Sequence, residues 1–194
     1  MYDLAIVGGG PAGASAAIFA ARAGLRTVVL DADKGMTRRA MVNNLLGFPE
    51  GIPGPELVER GQQQATRAGA EWVTAGVAAL ERRGEGFVLR TEDGRDFEAE
   101  QVLLTIGANV DLAHRAGLRT RPATEPRMKE AVVVDAEGRT GEPGIWAAGT
   151  AAGVSVHVII TAGDGARVAV NIISAHKGQR HVDHDVLPPS PAAR

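Results

Sequence analysis

Leu4-Ala5-Ile6-Val7-Gly8-Gly9-Gly10-Pro11-Ala12-Gly13 is the stretch on which the reading of this chain turns. Leu4 to Val7 is a short, wholly apolar run ending in glycines, the pattern of a buried parallel strand. Ala12 to Ala23 then reads as an alanine-rich helix closed by Gly24. Thr27 to Leu30 is a second β-branched run, so residues 4–30 make a βαβ unit. Gly8–Gly13 match G-x-G-x-x-G in the context that motif requires, after a strand and opening a helix. Gly8 permits the tight turn off the strand, Gly10 lets backbone approach a pyrophosphate, and Gly13 lets the helix pack close to the sheet. The helix N-terminus offers unpaired N–H groups and partial positive charge to phosphates.

Asp31 ends the second strand, about twenty residues beyond the first glycine. A carboxylate there accepts hydrogen bonds from both ribose hydroxyls of an adenosine and repels the 2′-phosphate of NADP. The dinucleotide is therefore FAD or NAD. Asp33 either shares the task or is solvated. The plain alternative, a glycine-rich turn with no ligand, leaves the spaced acid without a purpose.

Outward from this unit, residues 31–54 read as loop, punctuated by Asn43, Asn44, Gly47, Pro49, Gly51, Pro53 and Gly54. Pro55 suits the first turn of a helix running to about Ala68, with Gly69 ending it. Glu71 to Val77 is a third strand. Ala79–Arg83, Gly86–Thr91 and Arg95–Ala99, divided by Gly84 and the Asp93-Gly94 turn, form an antiparallel meander. Val102–Ile106, Ala131–Asp135 and Ile145–Ala148 are further strands, and a helix from Ser155 or Thr161 to Ala175 completes the fold. The expected class is α/β, Rossmann-like: a central parallel sheet with helices on both faces and a small β-meander. Residues 1–177 form one domain, and 178–194, with Pro188, Pro189 and Pro191, read as a disordered tail.

Composition narrows the function. The charged fraction is 23%, and the net charge of −2 gives no electrostatic case for nucleic acid or an anionic membrane. Glycine reaches 25 residues, well above the ordinary share, as close backbone approach demands. No cysteine is present, which excludes a thiol nucleophile, an iron–sulfur cluster and a redox CxxC within these residues and fits a reducing cytoplasm. Leu4 to Ala21 carries no charge, but Gly8-Gly9-Gly10-Pro11 breaks it into strand, loop and helix rather than a membrane span.

With these residues in place, the chain resembles the thioredoxin reductases and related flavoprotein disulfide reductases. Ala5–Ala14 resembles that family's opening. Gly47-Phe48-Pro49-Glu50-Gly51-Ile52-Pro53-Gly54-Pro55-Glu56-Leu57 resembles its loop and following helix. Gly144-Ile145-Trp146-Ala147-Ala148-Gly149 resembles its second FAD stretch, and Thr161-Ala162-Gly163-Asp164-Gly165-Ala166 the start of its last helix. The resemblance implies FAD as cofactor. It implies that Gly8, Gly10, Pro11, Ala12 and Gly13 line the pyrophosphate and that Asp31 holds the adenosine ribose. Val77 meets the adenine edge through its backbone, and Asn44 lies near the flavin ring or ribityl chain. Gly149 and Thr150 meet the ribityl and phosphates, and His157, Val158 and Ile159 the pyrimidine end of the isoalloxazine. Gly107 closes Thr105-Ile106-Gly107, where the family has Ala-Thr-Gly.

Departures from the family carry equal weight. Its inserted NADPH-binding domain is replaced by a short stretch between Ile106 and Ala131, its cysteine pair is absent, and its usual acid after Ala-Ala-Gly is Thr150. The leading expectation is an FAD-dependent oxidoreductase whose flavin is reduced by an external donor, NADH, NADPH or a redox protein. One flavin face would then be open to a substrate or to a homodimer partner. A non-catalytic flavin or dinucleotide module (carrier, sensor or subunit) is the second reading, and an enzyme binding NAD in the same groove, as in single-domain thiazole synthases, the third. His157 is either a donor to the flavin N1–C2=O edge or a helix-entry histidine bonded to backbone. His176, His181 and His184, with Asp183 and Asp185, have ligand chemistry, but no metal is expected. Arg38 and Arg39 read as a solvated pair, with reach to a phosphate or a partner as the alternative, and Trp72 and Trp146 as packing residues.

Overall fold

A computed structural model describes residues 1–126 and 128–187. In chain order these form β1 (Tyr2–Val7), α1 (Pro11–Arg22), β2 (Thr27–Asp31), β3 (Met41–Val42), β4 (Ile52–Pro53), α2 (Gly54–Arg67), β5 (Glu71–Thr74), β6 (Val77–Arg83) and β7 (Gly86–Thr91). They continue with β8 (Asp96–Leu104), α3 (Asp111–Arg115), β9 (Thr120–Pro122), β10 (Glu130–Val132), β11 (Ile145–Ala147) and α4 (Val158–Lys177). Two 3₁₀ turns lie at Met36–Arg39 and Gly149–Ala152.

β1 is central. It pairs in parallel with β2 on one side and β8 on the other, and β5 lies outside β2, giving the order β5-β2-β1-β8-β7-β6. β8 serves two neighbours along the same flank. Its first half pairs antiparallel with β7, and its second half runs parallel to β11, Val102 opposite Ile145 and Leu104 opposite Ala147.

The strand alternation sorts the core into two layers. Leu4, Ile6, Val29 and Leu103 face α1 and α4, meeting Ala16, Ala17, Ala20, Val168, Ala169, Ile172 and Ile173. Ala5, Val7, Val28, Leu30, Val102 and Leu104 face the other way, onto Leu80, Phe87 and Leu89 of the meander and Leu112 and Ala113 of α3. The class is the expected one, with the second face covered by the meander and one five-residue helix. α1 is built from small residues because α4 crosses it closely: a Cβ on Gly165 would lie 2.1 Å from the Ala12 carbonyl oxygen. α4 is long and apolar enough by length and composition to cross a membrane, yet its Val168, Ala169, Ile172 and Ile173 are fully buried in this core.

Several details differ from the sequence reading. The segment read as loop holds a 3₁₀ turn and the small hairpin β3–β4. Val77 opens β6 rather than ending β5. α3 and β9 were not foreseen: α3 has a single turn, and β9 takes its order only from pairing with β10. Of the expected disordered tail, 188–194 lie outside the described residues. Residues 178–187 turn back toward α1, where the Arg22 guanidinium grips the Asp183 carboxylate at 2.8 and 2.9 Å and reaches Asp185 at 2.6 Å. The His181 N–H donates to the Ser174 hydroxyl on the way.

Candidate functional site

The chain leaves β1 toward β2 by one crossover and reaches β8 on the opposite side by another, so the loop after β1 stands where the strand order reverses. In open α/β sheets this is the position of ligand crevices. Gly8 takes φ +104°, and an added Cβ would lie 2.5 Å from the Thr105 carbonyl oxygen. Gly13 is tighter still, its Cβ position 1.9 Å from the Gly8 carbonyl oxygen. The Thr105 hydroxyl, at the end of β8, lies 2.7 Å from that same carbonyl and 3.0 Å from that of Val7, tying the loop to the sheet. Gly10 is the N-cap of α1, with no side-chain cap, no acid in the first turn and Pro11 as first helical residue. Its Cβ direction is open. Among the described residues no side chain caps the first-turn N–H groups of α1, the arrangement an anion occupies.

Asp31 ends β2 with only 8% of its surface exposed. It lies against Gly9, whose added Cβ would stand 2.8 Å from the Asp31 carboxyl carbon and 2.2 Å from the Trp72 ring. Asp33 is different: it is half exposed and ion-paired with Arg38. Arg38 is therefore not the free solvated cation that the sequence suggested. Trp146 is buried, its indole N–H donating to Gln101 at 2.9 Å, whereas Trp72 covers the outer side of the phosphate loop.

Beyond the phosphate loop a cavity of about 180 Å³ opens between α1, α2 and the start of α4, lined by Gly9, Gly10, Pro11, Leu45, Val58 and Val158 among others. Of the residues singled out in the sequence, Gly10, Pro11 and Val158 meet in this cavity. Gly149, with φ +67°, packs its turn on α1, its Cβ position 2.8 Å from Ala12. Thr150 is buried beside it. Asn44 lies exposed in the loop before β4, adjacent to the cavity-lining Leu45. Val77 is buried at the start of β6 and Gly107, with φ +67°, follows β8. His157 is the N-cap of α4. Its ring Nδ1 lies 2.7 Å from the Ser155 hydroxyl, and its carbonyl accepts the Thr161 N–H. Among the described residues no cluster with metal-ligand composition forms.

Asp164 was missed. Its carboxylate accepts the Gly149 N–H at 2.7 Å and pairs with Arg167 at 2.9 Å. It lies within the Thr161–Ala166 stretch that resembles the start of the family's last helix, but only the helix crossing brings it to the turn.

A glycine loop at the reversal of strand order, an uncapped helix N-terminus and a buried acid ending the second strand define a dinucleotide-binding protein of the Rossmann class. Residues 3–140 match the family model for FAD dependent oxidoreductases, and the chain belongs to that family, whose cofactor is FAD. Thioredoxin reductase of Helicobacter pylori is 35% identical over 114 residues, covering 56% of this chain and 36% of the relative. NADPH-dependent thioredoxin reductase 3 of Arabidopsis thaliana is 35% identical over 113 residues, 55% of this chain and 21% of that protein. The chain thus spans about a third or less of the length of these curated relatives. Among solved structures, the atypical thioredoxin reductase TRi of Desulfovibrio vulgaris Hildenborough shares the fold, with TM-score 0.81 at 20% identity over 92% of this chain and 99% of that one. The chain is therefore related to the thioredoxin reductases and other FAD oxidoreductases.

Proposed function

We propose that this chain is an FAD-binding oxidoreductase domain whose flavin is reduced from outside the chain, by a nicotinamide nucleotide or a partner redox protein. The observation that carries the reading is the open, uncapped N-terminus of α1 between Gly10 and the cavity, flanked by buried Asp31 at one end and by Val158 at the other. Gly8, Gly10, Pro11, Ala12 and Gly13 would hold the pyrophosphate, Asp31 and the Val77 backbone the adenosine, and Asn44, Gly107, Gly149, Thr150, His157 and Val158 the ribityl and flavin end. Bound there, FAD would supply hydride acceptance and electron transfer at its isoalloxazine ring. The protein's part is to orient that ring. The Ser155 hydroxyl lies 2.7 Å from His157 Nδ1, which would leave Nε2 for the flavin's pyrimidine edge.

An external donor is supported by composition: no cysteine is available to carry electrons to a disulfide, and a single glycine fingerprint is present. A reducing cytoplasm suits a cysteine-free flavoprotein, and a homodimer would cover the exposed Ile159, Ile160 and Leu46. The alternative, a non-catalytic carrier, sensor or subunit, is favoured by Thr150, which offers no charge at a position where the resembling family has an acid. The absorption spectrum of the purified chain before and after adding FAD decides the first question. Bands near about 370 and 450 nm, bleached by NADH, NADPH or an added reductase, are expected. A protein that stays colourless with FAD would sink the flavin reading, and one that binds FAD but accepts electrons from no donor is the carrier.

A further inference from the structure

We infer that Asp164 is a positioning residue for the flavin end of the groove: from α4 it anchors the Gly149–Ala152 turn against the first turn of α1, beside which the cofactor would lie. The inference rests on the FAD-binding reading above and deepens it.

A 3₁₀ turn leaves its first N–H groups without partners inside the turn. Here the Gly149 N–H is taken by the Asp164 carboxylate at 2.7 Å, and the preceding Ala148 N–H by the Leu104 carbonyl at 3.0 Å. No partner is seen for the Thr150 and Ala151 N–H groups among the described residues, and Ala151 is fully buried. The turn has little freedom of its own. Gly149 and Gly153 sit at φ +67° and +86°, and Gly149 abuts Ala12 in the first turn of α1. The Asp164 bond therefore adds to the Ala148–Leu104 bond in fixing the turn relative to the phosphate loop.

The carboxylate is itself held. Its side chain is only 9% exposed, and Arg167 contacts its second oxygen through Nε at 3.1 Å and Nη2 at 2.9 Å. Arg167 also donates to the Ala136 carbonyl, bracing the pair against the loop before β11. The ion pair has a second consequence. It neutralises a negative charge that would otherwise stand close to an incoming phosphate. Thr150 occupies the position where the resembling family carries an acid; in this chain the acid that organises the turn comes from the neighbouring helix.

The test is titration of the full chain with FAD, following flavin absorption and fluorescence, for wild type, Asp164→Ala, Asp164→Asn and Arg167→Met. Asp164→Ala is expected to weaken FAD binding roughly tenfold or more and to shift the bound flavin's visible bands. Asp164→Asn retains a carbonyl acceptor for the Gly149 N–H and restores most of the affinity and the wild-type spectrum. A residue that only stabilised the fold would lower the melting temperature and leave the bound flavin's spectrum unchanged. Asp164→Ala with wild-type affinity and spectrum overturns the inference. Should Asp164→Ala fail to fold, Arg167→Met, which frees the carboxylate, carries the question: a smaller loss with a shifted spectrum supports it, and wild-type behaviour overturns it. A wild-type chain that takes up no FAD would instead sink the flavin reading, and this inference with it.

Discussion

Asp31 ends β2 where the proposed adenosine ribose would lie. A carboxylate that is nine-tenths buried is costly to keep without a partner. The neighbouring cation Arg38 is committed to Asp33, not to Asp31. Ribose hydroxyls would repay that burial. Asp31→Ala is accordingly expected to lower FAD affinity about tenfold or more, as loss of a hydrogen bond to a charged group does, while thermal stability holds or rises. FAD titration and a melting curve on the same sample measure both. Tyr2 makes a separate prediction about pH. Burial first, and then its 2.5 Å hydrogen bond to Glu71, push its hydroxyl from 10.0 up to about 12. The folded state thus holds the proton more tightly than the unfolded chain. This stability is fully present below pH 10.0 and is lost as pH rises toward about 12. Denaturant midpoints across that range should fall less steeply in Tyr2→Phe than in wild type.

At the scale of elements, the crossing of α1 and α4 sets the spacing of the groove. Gly165 permits it, since any Cβ there meets the Ala12 backbone. Gly165→Val should destabilise the fold by about 1–3 kcal/mol or more through overpacking and should weaken FAD retention in parallel. Chemical denaturation and the flavin-to-protein absorbance ratio would show the two effects together. The segment after α4 makes the opposite kind of contact, an ion pair at the surface. The hydrogen bond from Arg22 holds the Asp183 carboxyl below its usual range, so its contribution is present above that range and is lost on acidification through the depressed value. Protection from hydrogen exchange across residues 178–187, relative to the intrinsic rate at each pH, should therefore fall on acidification, and Asp183→Asn should lower it already at neutral pH without altering FAD uptake.

At the scale of the whole molecule, β8 explains how the chain can keep a flavin fold with so short a stretch between Ile106 and Ala131. The strand carries the meander on its first half and β11, which leads into the Gly149–Ala152 turn, on its second. α3 and the β9–β10 hairpin suffice to return the chain from one to the other. With no cysteine, the chain supplied with FAD and NADPH is expected to show no thioredoxin reduction alone. Reduction of a small one-electron acceptor, or of thioredoxin once a cysteine-bearing partner is added, would place the chain in an electron relay. Turnover of thioredoxin by the isolated chain would contradict the proposal.

What the sequence by itself determined was local. The βαβ unit, its glycine loop, Asp31 and the meander were legible because strand and helix periodicity, glycine spacing and the Asp93-Gly94 turn act over a few residues. β3, β4, β9 and α3 were not, being too short to carry a period, and Val77 was assigned to the wrong strand because an apolar residue suits either. Only the tertiary structure decided which distant groups meet. The capture of Gly149 by Asp164, the grip of Arg22 on Asp183 and the seating of Trp72 on Gly9 depend on helix crossings and sheet order, and these arise from packing the whole core rather than from any single segment.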